Sequence, residues 1–388
     1  MKTVCKTNEC VGCMACIASC KKNAITLQDN MVSLNALIDI EKCVSCGVCE
    51  KVCQINNPIE KRPPLHWYEG WASNEEIRMT STSGGYATAI MSSFVDAGGV
   101  VCSCGYENGQ FIFQLATDKE QVRKFAGSKY VKSTPKDAYG LVKNSLKQGK
   151  KVLFVGLPCQ VAGIYNSLSK ELQANLYTID IICHGTPSVS LFRKFLLDEG
   201  IELENIQELK FRCKPGFTDT NEYNTLVPSG SIDAYTYTFL KQVNYTQNCY
   251  SCAYSTTDRI SDLTLGDSWG SLNVEEKCRG ISLALCQTSK GIELLQQASI
   301  VLNEADIEKA INANSQLRHA AIIPKIRNEF FERILKGENY NSVARKCFPK
   351  VFLKQRIKEL LAKLKLISQK ESQYRIKYVR KWGVSSKL

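Results

Sequence analysis

Two apolar runs, Val152 to Val155 and Tyr177 to Ile182, read as buried parallel strands. A helix is predicted after each, the first from near Val161, which makes two β-α units between Lys150 and Glu199. Upstream, an apolar helix is predicted over Tyr86 to Asp96, opened by Ser81-Thr82-Ser83-Gly84-Gly85 and ended by Gly98-Gly99. Val100 to Glu107 and Gln110 to Thr117 flank Asn108-Gly109, which predicts a hairpin with a type I′ turn. Near the C-terminus Leu353, Ile357, Leu360, Leu364 and Ile367 recur as one stripe of a helix, with Lys354, Arg356, Lys358, Lys363 and Lys365 around it. Asn57-Pro58 through Pro63-Pro64 reads as a linker. The pattern predicts an α/β protein: a small α+β domain over residues 1–60, a larger α/β core in two parts (65–145 and 146–335), and a basic helical tail over 350–388.

Charge changes this picture only at the tail. Of the formal net charge of +12, residues 350–388 carry +10, from twelve Lys/Arg and two Glu. The core is therefore nearly neutral, and nucleic acid is not expected as a partner. A basic amphipathic helix can rest on an anionic membrane surface. It can equally pack its stripe on the body or on a partner while its charges are solvated. No run approaches the ~18 apolar residues of a spanning helix. No apolar segment precedes Cys5 and Cys10, so a signal peptide is not expected. With 19 cysteines and no export signal, metal ligation in a reducing cytoplasm is expected rather than disulfides.

The cysteines carry the chemistry. Cys10, Cys13, Cys16 and Cys20 read C-x2-C-x2-C-x3-C, and Cys43, Cys46, Cys49 and Cys53 repeat the pattern 33 residues later. In ferredoxins with two [4Fe–4S] clusters, three thiolates come from one run and the fourth from the other. One cluster is thus expected on Cys10, Cys13, Cys16 and Cys53, the second on Cys43, Cys46, Cys49 and Cys20. Gly12, Ala15, Ser45 and Gly47 are small enough to let backbone N–H groups approach the sulfurs. Lys21 and Gln54 replace the proline that usually follows the fourth cysteine, which alters the exit turn but removes no ligand. Cys5 reads as a spare buried thiol, and Cys102 and Cys104 as core packing.

In the larger core, Cys159 follows the first apolar run and Cys183 the second, both just beyond strand ends, where open α/β sheets bind ligands. Cys249 and Cys252 form a C-x2-C pair. The four suit a third iron–sulfur cluster or a zinc site, or are unrelated buried cysteines. His184, beside Cys183, reads as a hydrogen-bonding wall residue. Ser83, Gly84 and Gly85 open a helix, which suits either an anion or an ordinary cap.

Gly156-Leu157-Pro158-Cys159-Gln160, Cys183-His184-Gly185-Thr186-Pro187-Ser188, and the stretch of Cys249, Cys252 and Asp262 to Gly270 resemble the family of coenzyme F420 hydrogenase/dehydrogenase beta subunits. Thr82 to Gly85, Gly127 to Tyr130 and Arg279 to Ser282 also resemble its blocks, and the likeness covers roughly residues 65 to 335. Cys213, in Phe211-Arg212-Cys213-Lys214, departs from the polar residue expected there. The resemblance implies an FAD-containing α/β core with its own [4Fe–4S] cluster, on Cys159, Cys183, Cys249 and Cys252. It implies FAD contacts at Ser83, Gly84, Gly85, Ser128, Lys129 and Tyr130. The function implied is an iron–sulfur flavoprotein oxidoreductase that relays electrons from the ferredoxin clusters to FAD and reduces a small molecule the sequence does not name. Its redox partner would be a ferredoxin or a catalytic subunit. The competing expectations are an electron-transfer subunit of a larger complex, with no substrate of its own, and a non-catalytic iron–sulfur scaffold or sensor.

Overall fold

A computed structural model of the chain describes residues 2–214, 223–228, 231–367, 374 and 376–381. At the N-terminus, β1 (Lys2–Thr3), β2 (Ile25–Asp29) and β3 (Leu34–Ile38) form an antiparallel sheet in the order β1-β3-β2. The short helices Ala15–Ser19 and Val48–Val52 each carry the third cysteine of a run, and the fourth cysteine is the residue that ends the helix. The two loops before them share one conformation. The second residue after the first cysteine is left-handed in both (Gly12, φ 71°; Ser45, φ 52°), and so is the fourth (Met14, φ 61°; Gly47, φ 70°). Sequence repetition thus becomes conformational repetition.

The remaining strands are β4 (His66–Ala72), β5 (Val100–Glu107), β6 (Gln110–Ala116), β7 (Val152–Gly156), β8 (Leu176–Ile181), β9 (Ile206–Lys210), β10 (Asn224–Thr225), β11 (Leu263–Asp267), β12 (Ser282–Cys286), β13 (Ile300–Glu304) and β14 (Lys377–Arg380). Eight of them form one mixed sheet in the order β13-β4-β12-β11-β8-β7-β5-β6. β5, β7, β8 and β11 run parallel at its centre, and the outer pairings are antiparallel. The two predicted strands are neighbours here, and alternate side chains of β7 enter different cores. Leu153 and Val155 pack with Ile90, Met91 and Phe94 of the helix Tyr86–Asp96. Val152 and Phe154 face the helix Pro158–Ser167 and, with it, Cys10, Cys13, Ala15, Cys16 and Cys53. One core therefore joins the ferredoxin module to the large sheet.

The expected hairpin forms, with Asn108 and Gly109 both at positive φ. The helix after β7 starts at Pro158, earlier than the predicted Val161. Proline's fixed φ suits the first helical position, and the Gln160 side chain accepts the Leu157 N–H at 2.9 Å. The segment read as a linker is pinned: Arg62 and Arg259 exchange backbone hydrogen bonds of 2.7 and 2.9 Å, and Lys61 Nζ donates to the Ala253 carbonyl at 2.8 Å.

The tail differs from its prediction. A helix spans Pro349–Lys363, but β14 follows and pairs with both β9 and β10 in a separate three-stranded sheet. Ile376, Lys377 and Tyr378 are buried in succession, with Ile376 and Tyr378 in the core of Phe192, Phe211 and Tyr235. Leu353, Ile357, Leu360, Leu364 and Ile367 are exposed, so the stripe does not cover the body. Among the described residues no helix is long and apolar enough to cross a membrane.

Candidate redox site

Cys10, Cys13, Cys16 and Cys53 line a single cavity, with Val4, Val11, Ile17, Leu27 and Ala36 as its apolar wall. Cys53 thus stands with the first run, not with its own. Backbone N–H groups meet the sulfurs: Gly12 at Cys10, Ala15 at Cys13, and Ile55 and Asn56 at Cys53. Cys5 lies in the same cavity and hydrogen-bonds to Cys10 and Cys53, which holds both thiols below the usual thiol value. Sequence reading left Cys5 outside the pattern, and nothing in its spacing marks it. Burial pushes the Cys13 thiol up to about 12. Such a thiol holds its proton in this cavity and gives it up only to a cation or metal that compensates the desolvation.

Cys20, Cys43 and Cys49 are half-buried and Cys46 is exposed. The Cys20 sulfur accepts the Ala24 N–H at 3.4 Å, and the Glu50 N–H meets Cys49. Around them Ile40, Val44 and Val48 are exposed, Ile40 to 74%.

In the large core, Cys159 sits in the first turn of the helix after β7, and Cys183 directly follows β8 and Ile182. Cys249 lies in the short helix Gln247–Ser251, which Cys252 ends. Cys183 interacts electrostatically with Cys249 and Cys252, and Cys159 with Cys183 and Cys252. Burial comes first among the causes that raise Cys159 and Cys183, the latter to about 12. Two donors meet Cys249, the Thr186 N–H at 3.4 Å and the Asn248 amide at 3.7 Å, and the Thr246 hydroxyl, which donates to the Thr186 carbonyl at 3.1 Å, stands 3.5 Å from the same sulfur. Two donors on one sulfur suit a thiolate sharing its charge with a metal. Among the described residues no three His, Cys, Asp or Glu side chains are placed to hold one metal ion. His184 is half-buried with its ring edge-on to Trp269, and desolvation lowers its pKa.

The buried thiols of the first run and the strand-end thiols adjoin. Tyr139 Oη donates to the Cys13 carbonyl at 2.6 Å. A Cβ added at Gly163, one turn beyond Cys159, would stand 3.4 Å from Cys13 Sγ. Below this seam a buried salt bridge joins Arg259 to Asp180 at 2.9 Å, and Arg259 also donates to the carbonyls of Tyr254 and Ile181. It ties the Cys249–Cys252 loop to the end of β8.

The residues singled out for FAD separate into groups. Thr82 Oγ1 and Ser128 Oγ share a hydrogen bond of 3.0 Å, which brings the two loops together. Ser83 Oγ donates to the Ile281 carbonyl, and Lys214 Nζ donates to the carbonyls of Arg78 and Ser83. Gly84 is demanded by packing, since a Cβ there would lie 2.4 Å from the Gly70 oxygen. Gly85 caps the helix at φ 91°, and the Tyr86 N–H already reaches Ser282 Oγ at 3.5 Å. Lys129 turns its ammonium to the Phe125 and Ala126 carbonyls, and Tyr130 stacks on Phe239 with 4.3 Å between ring centres. Arg212, paired with Asp267 at 2.8 Å, leaves its buried Nε without a partner among the described residues. Arg212 and Lys214, absent from the sequence expectation, are thus the cations that border these loops.

Paired cysteine runs around buried and exposed sites, fused to a mixed α/β core, define an iron–sulfur electron carrier. Residues 9–57 match the 4Fe-4S dicluster domain. Residues 67–137 match the N-terminal part, and residues 149–310 the C-terminal part, of the coenzyme F420 hydrogenase/dehydrogenase beta subunit. The chain belongs to the family of coenzyme F420 hydrogenase/dehydrogenase beta subunits and carries a two-cluster ferredoxin at its N-terminus. It is 26% identical over 247 residues to an uncharacterized protein of Methanocaldococcus jannaschii, covering 52% of this chain and 67% of that one. It is 24% identical over 162 residues to one of the subunits of the F(420)H(2) dehydrogenase of Methanosarcina mazei, covering 39% of this chain and 46% of that one. A chain of the F420-reducing NiFe hydrogenase complex of Methanosarcina barkeri superposes with a TM-score of 0.46 at 17% identity, covering 70% of this chain and 93% of that one.

Proposed function

We propose that this chain is an iron–sulfur flavoprotein oxidoreductase in which three thiol sets lie in series. Cys43, Cys46, Cys49 and Cys20 would hold the outer [4Fe–4S] cluster, Cys10, Cys13, Cys16 and Cys53 the inner ferredoxin cluster, and Cys159, Cys183, Cys249 and Cys252 a third. Such clusters supply one-electron exchange with no bond made or broken, at potentials set by charge, hydrogen bonds and exposure. The loops Thr82–Gly85 and Ser128–Tyr130, with Arg212 and Lys214, would border FAD, which pairs single electrons for two-electron chemistry on a small molecule. The observation that carries this reading is the close approach of Cys13 to Gly163 on the helix Pro158–Ser167, which carries Cys159 in its first turn. It makes the buried ferredoxin thiols direct neighbours of the strand-end thiols.

The apolar face of Ile40, Val44 and Val48 around exposed Cys46 supports a protein redox partner at the outer set. The partner of the exposed tail stripe would be a second protein or an anionic membrane surface. Anaerobic purification of the full chain tests the reading. About twelve irons and one flavin per chain are expected. About eight irons overturn the third cluster. Protein that neither holds nor takes up FAD overturns the flavin and leaves an electron-transfer subunit.

A further inference from the structure

Lys132 is a buried cation that no carboxylate answers among the described residues. It is 4% exposed, and its Nζ donates to the Val11 carbonyl at 3.1 Å, between Cys10 and Cys13. Its methylene chain lies under the same loop, 3.7 Å from where a Cβ on Gly12 would stand. Its backbone N–H donates to the Pro187 carbonyl at 2.9 Å, in the loop that follows Cys183. One residue is therefore fastened to two thiol loops that are far apart in sequence. Burial works against its charge, and the nearby Cys249, Cys159, Cys183 and Cys10 favour it. Protonated thiols supply no counter-charge, and a buried ammonium is tolerated only with one. Four thiolates outweigh the charge of the iron–sulfur core they hold, so a cluster in each site is an anion on either side of Lys132.

We propose that Lys132 is a positioning residue shared by two clusters, which it holds side by side and whose reduction potentials it raises together. This rests on the third cluster proposed above. An electron passing from a cluster on Cys10, Cys13, Cys16 and Cys53 to one on Cys159, Cys183, Cys249 and Cys252 would oxidise the first and reduce the second, with no proton moved. The negative charge gained by one side is lost by the other. A cation near both would stabilise the electron on either side, so it would raise both potentials without setting the direction of transfer. None of Cys43, Cys46, Cys49 and Cys20 is among the strongest influences on its charge.

The test is a redox titration followed by electron paramagnetic resonance on the full chain, comparing wild type, Lys132→Arg, Lys132→Gln and Lys132→Met, each with its iron content. In Lys132→Met two of three midpoint potentials are expected to fall while the third stays, and in Lys132→Arg all three stay near wild type. Lys132→Gln keeps a donor for the Val11 carbonyl and drops the charge, so it decides the matter if Lys132→Met loses iron. The same two-of-three shift is expected of it. About twelve irons with unmoved potentials, or with all three moved equally, overturn the role of Lys132 alone. A wild-type chain with about eight irons overturns the third cluster and this inference with it.

Discussion

The two cysteine runs have one spacing and one backbone conformation, yet their surroundings are opposite. The first run is walled in: Cys10, Cys13 and Cys16 are buried, Tyr139 and Lys132 bond its carbonyls, and its core continues into the large sheet. The second run faces outward, with Cys46 exposed and Ile40 and Val44 bare beside it. Spacing fixes which group the loops can hold. The neighbours fix what that group is for, because burial and nearby charge set a cluster's potential and exposure sets who can reach it. A buried set suits an internal step and an exposed set suits exchange with another protein.

The largest expected effect separates the runs by ligand exchange. Cys53→Ala and Cys20→Ala each remove one thiol, and each is expected to lose about four irons. With Cys53 in the cavity of the first run, its loss empties a site inside the core. Destabilisation by at least about 2–5 kcal/mol is expected, as for deletion of a large core side chain. Cys20→Ala empties the outer site and should leave the urea midpoint much closer to wild type. Iron analysis and urea denaturation of both variants check this, and equal destabilisation would erase the contrast between inner and outer sets.

The next effect concerns the frame behind the strand-end thiols. Arg259→Met leaves Asp180 buried without its cation, beside an Oδ2 that already lacks a partner among the described residues. A loss of about 3–5 kcal/mol is expected, because an uncompensated buried charge is left behind. Adding Asp180→Leu should recover most of it, since an apolar pair replaces an ion pair nearly neutrally. Chemical denaturation of the single and double variants measures both steps. A single-variant loss below about 1 kcal/mol would mean the pair is not part of this frame.

Much of this was legible before any coordinates. The eight ferredoxin cysteines stand out because cluster ligation demands a fixed local spacing. The strand at Val152 stands out because a strand buried on both faces is mostly apolar, and the one at Tyr177 stands out despite buried Asp180, whose charge Arg259 answers. The hairpin was equally plain, as Asn108 and Gly109 are residues that tolerate positive φ. What stayed hidden depends on contacts between distant segments. Lys132 looks like any lysine until Val11 and Pro187 are placed against it. Cys5 looks spare until β1 brings it to Cys10 and Cys53. The linker looks free until Arg62 pairs with Arg259. The tail misleads for another reason: a helical stripe is present, but strand β14 beyond it is written in four residues that no periodicity can reveal.

A smaller effect probes the seam between the inner ferredoxin set and the body. In a helix, alanine is normally better than glycine by roughly 0.5–1 kcal/mol. At Gly163 the sign should reverse, because a Cβ would stand 2.4 Å from Tyr139 Oη, the group that bonds the Cys13 carbonyl. Gly163→Ala is expected to destabilise by about 1–3 kcal/mol, the usual range for overpacking. Gly140 is the control: it also lies in a helix, has nothing within 4 Å of an added Cβ, and Gly140→Ala should stabilise. Urea midpoints for the two variants moving in the same direction would mean that the seam is loose.

The smallest effect on stability should carry the clearest effect on exchange with a partner. Val44 is 60% exposed and makes no part of a buried core, so Val44→Lys is expected to change stability by no more than about 0.5 kcal/mol. It lies two residues before Cys46 and, with Ile40 and Val48, is one of the exposed apolar side chains of the segment that carries the thiol set open to solvent. If a donor protein docks there, a charge at that position should slow second-order reduction by about 5–10-fold, the loss expected when an interface anchor worth over 1 kcal/mol is removed. Reduction by dithionite, which needs no docking, should be unchanged. Leu335→Lys, at a position exposed to 58% on the helix Arg327–Leu335, should change neither rate. Stopped-flow traces with both reductants separate the outcomes. A protein donor that reduces Val44→Lys at the wild-type rate would place the contact elsewhere, and the contrast between a sealed run and an open one would lose its functional half.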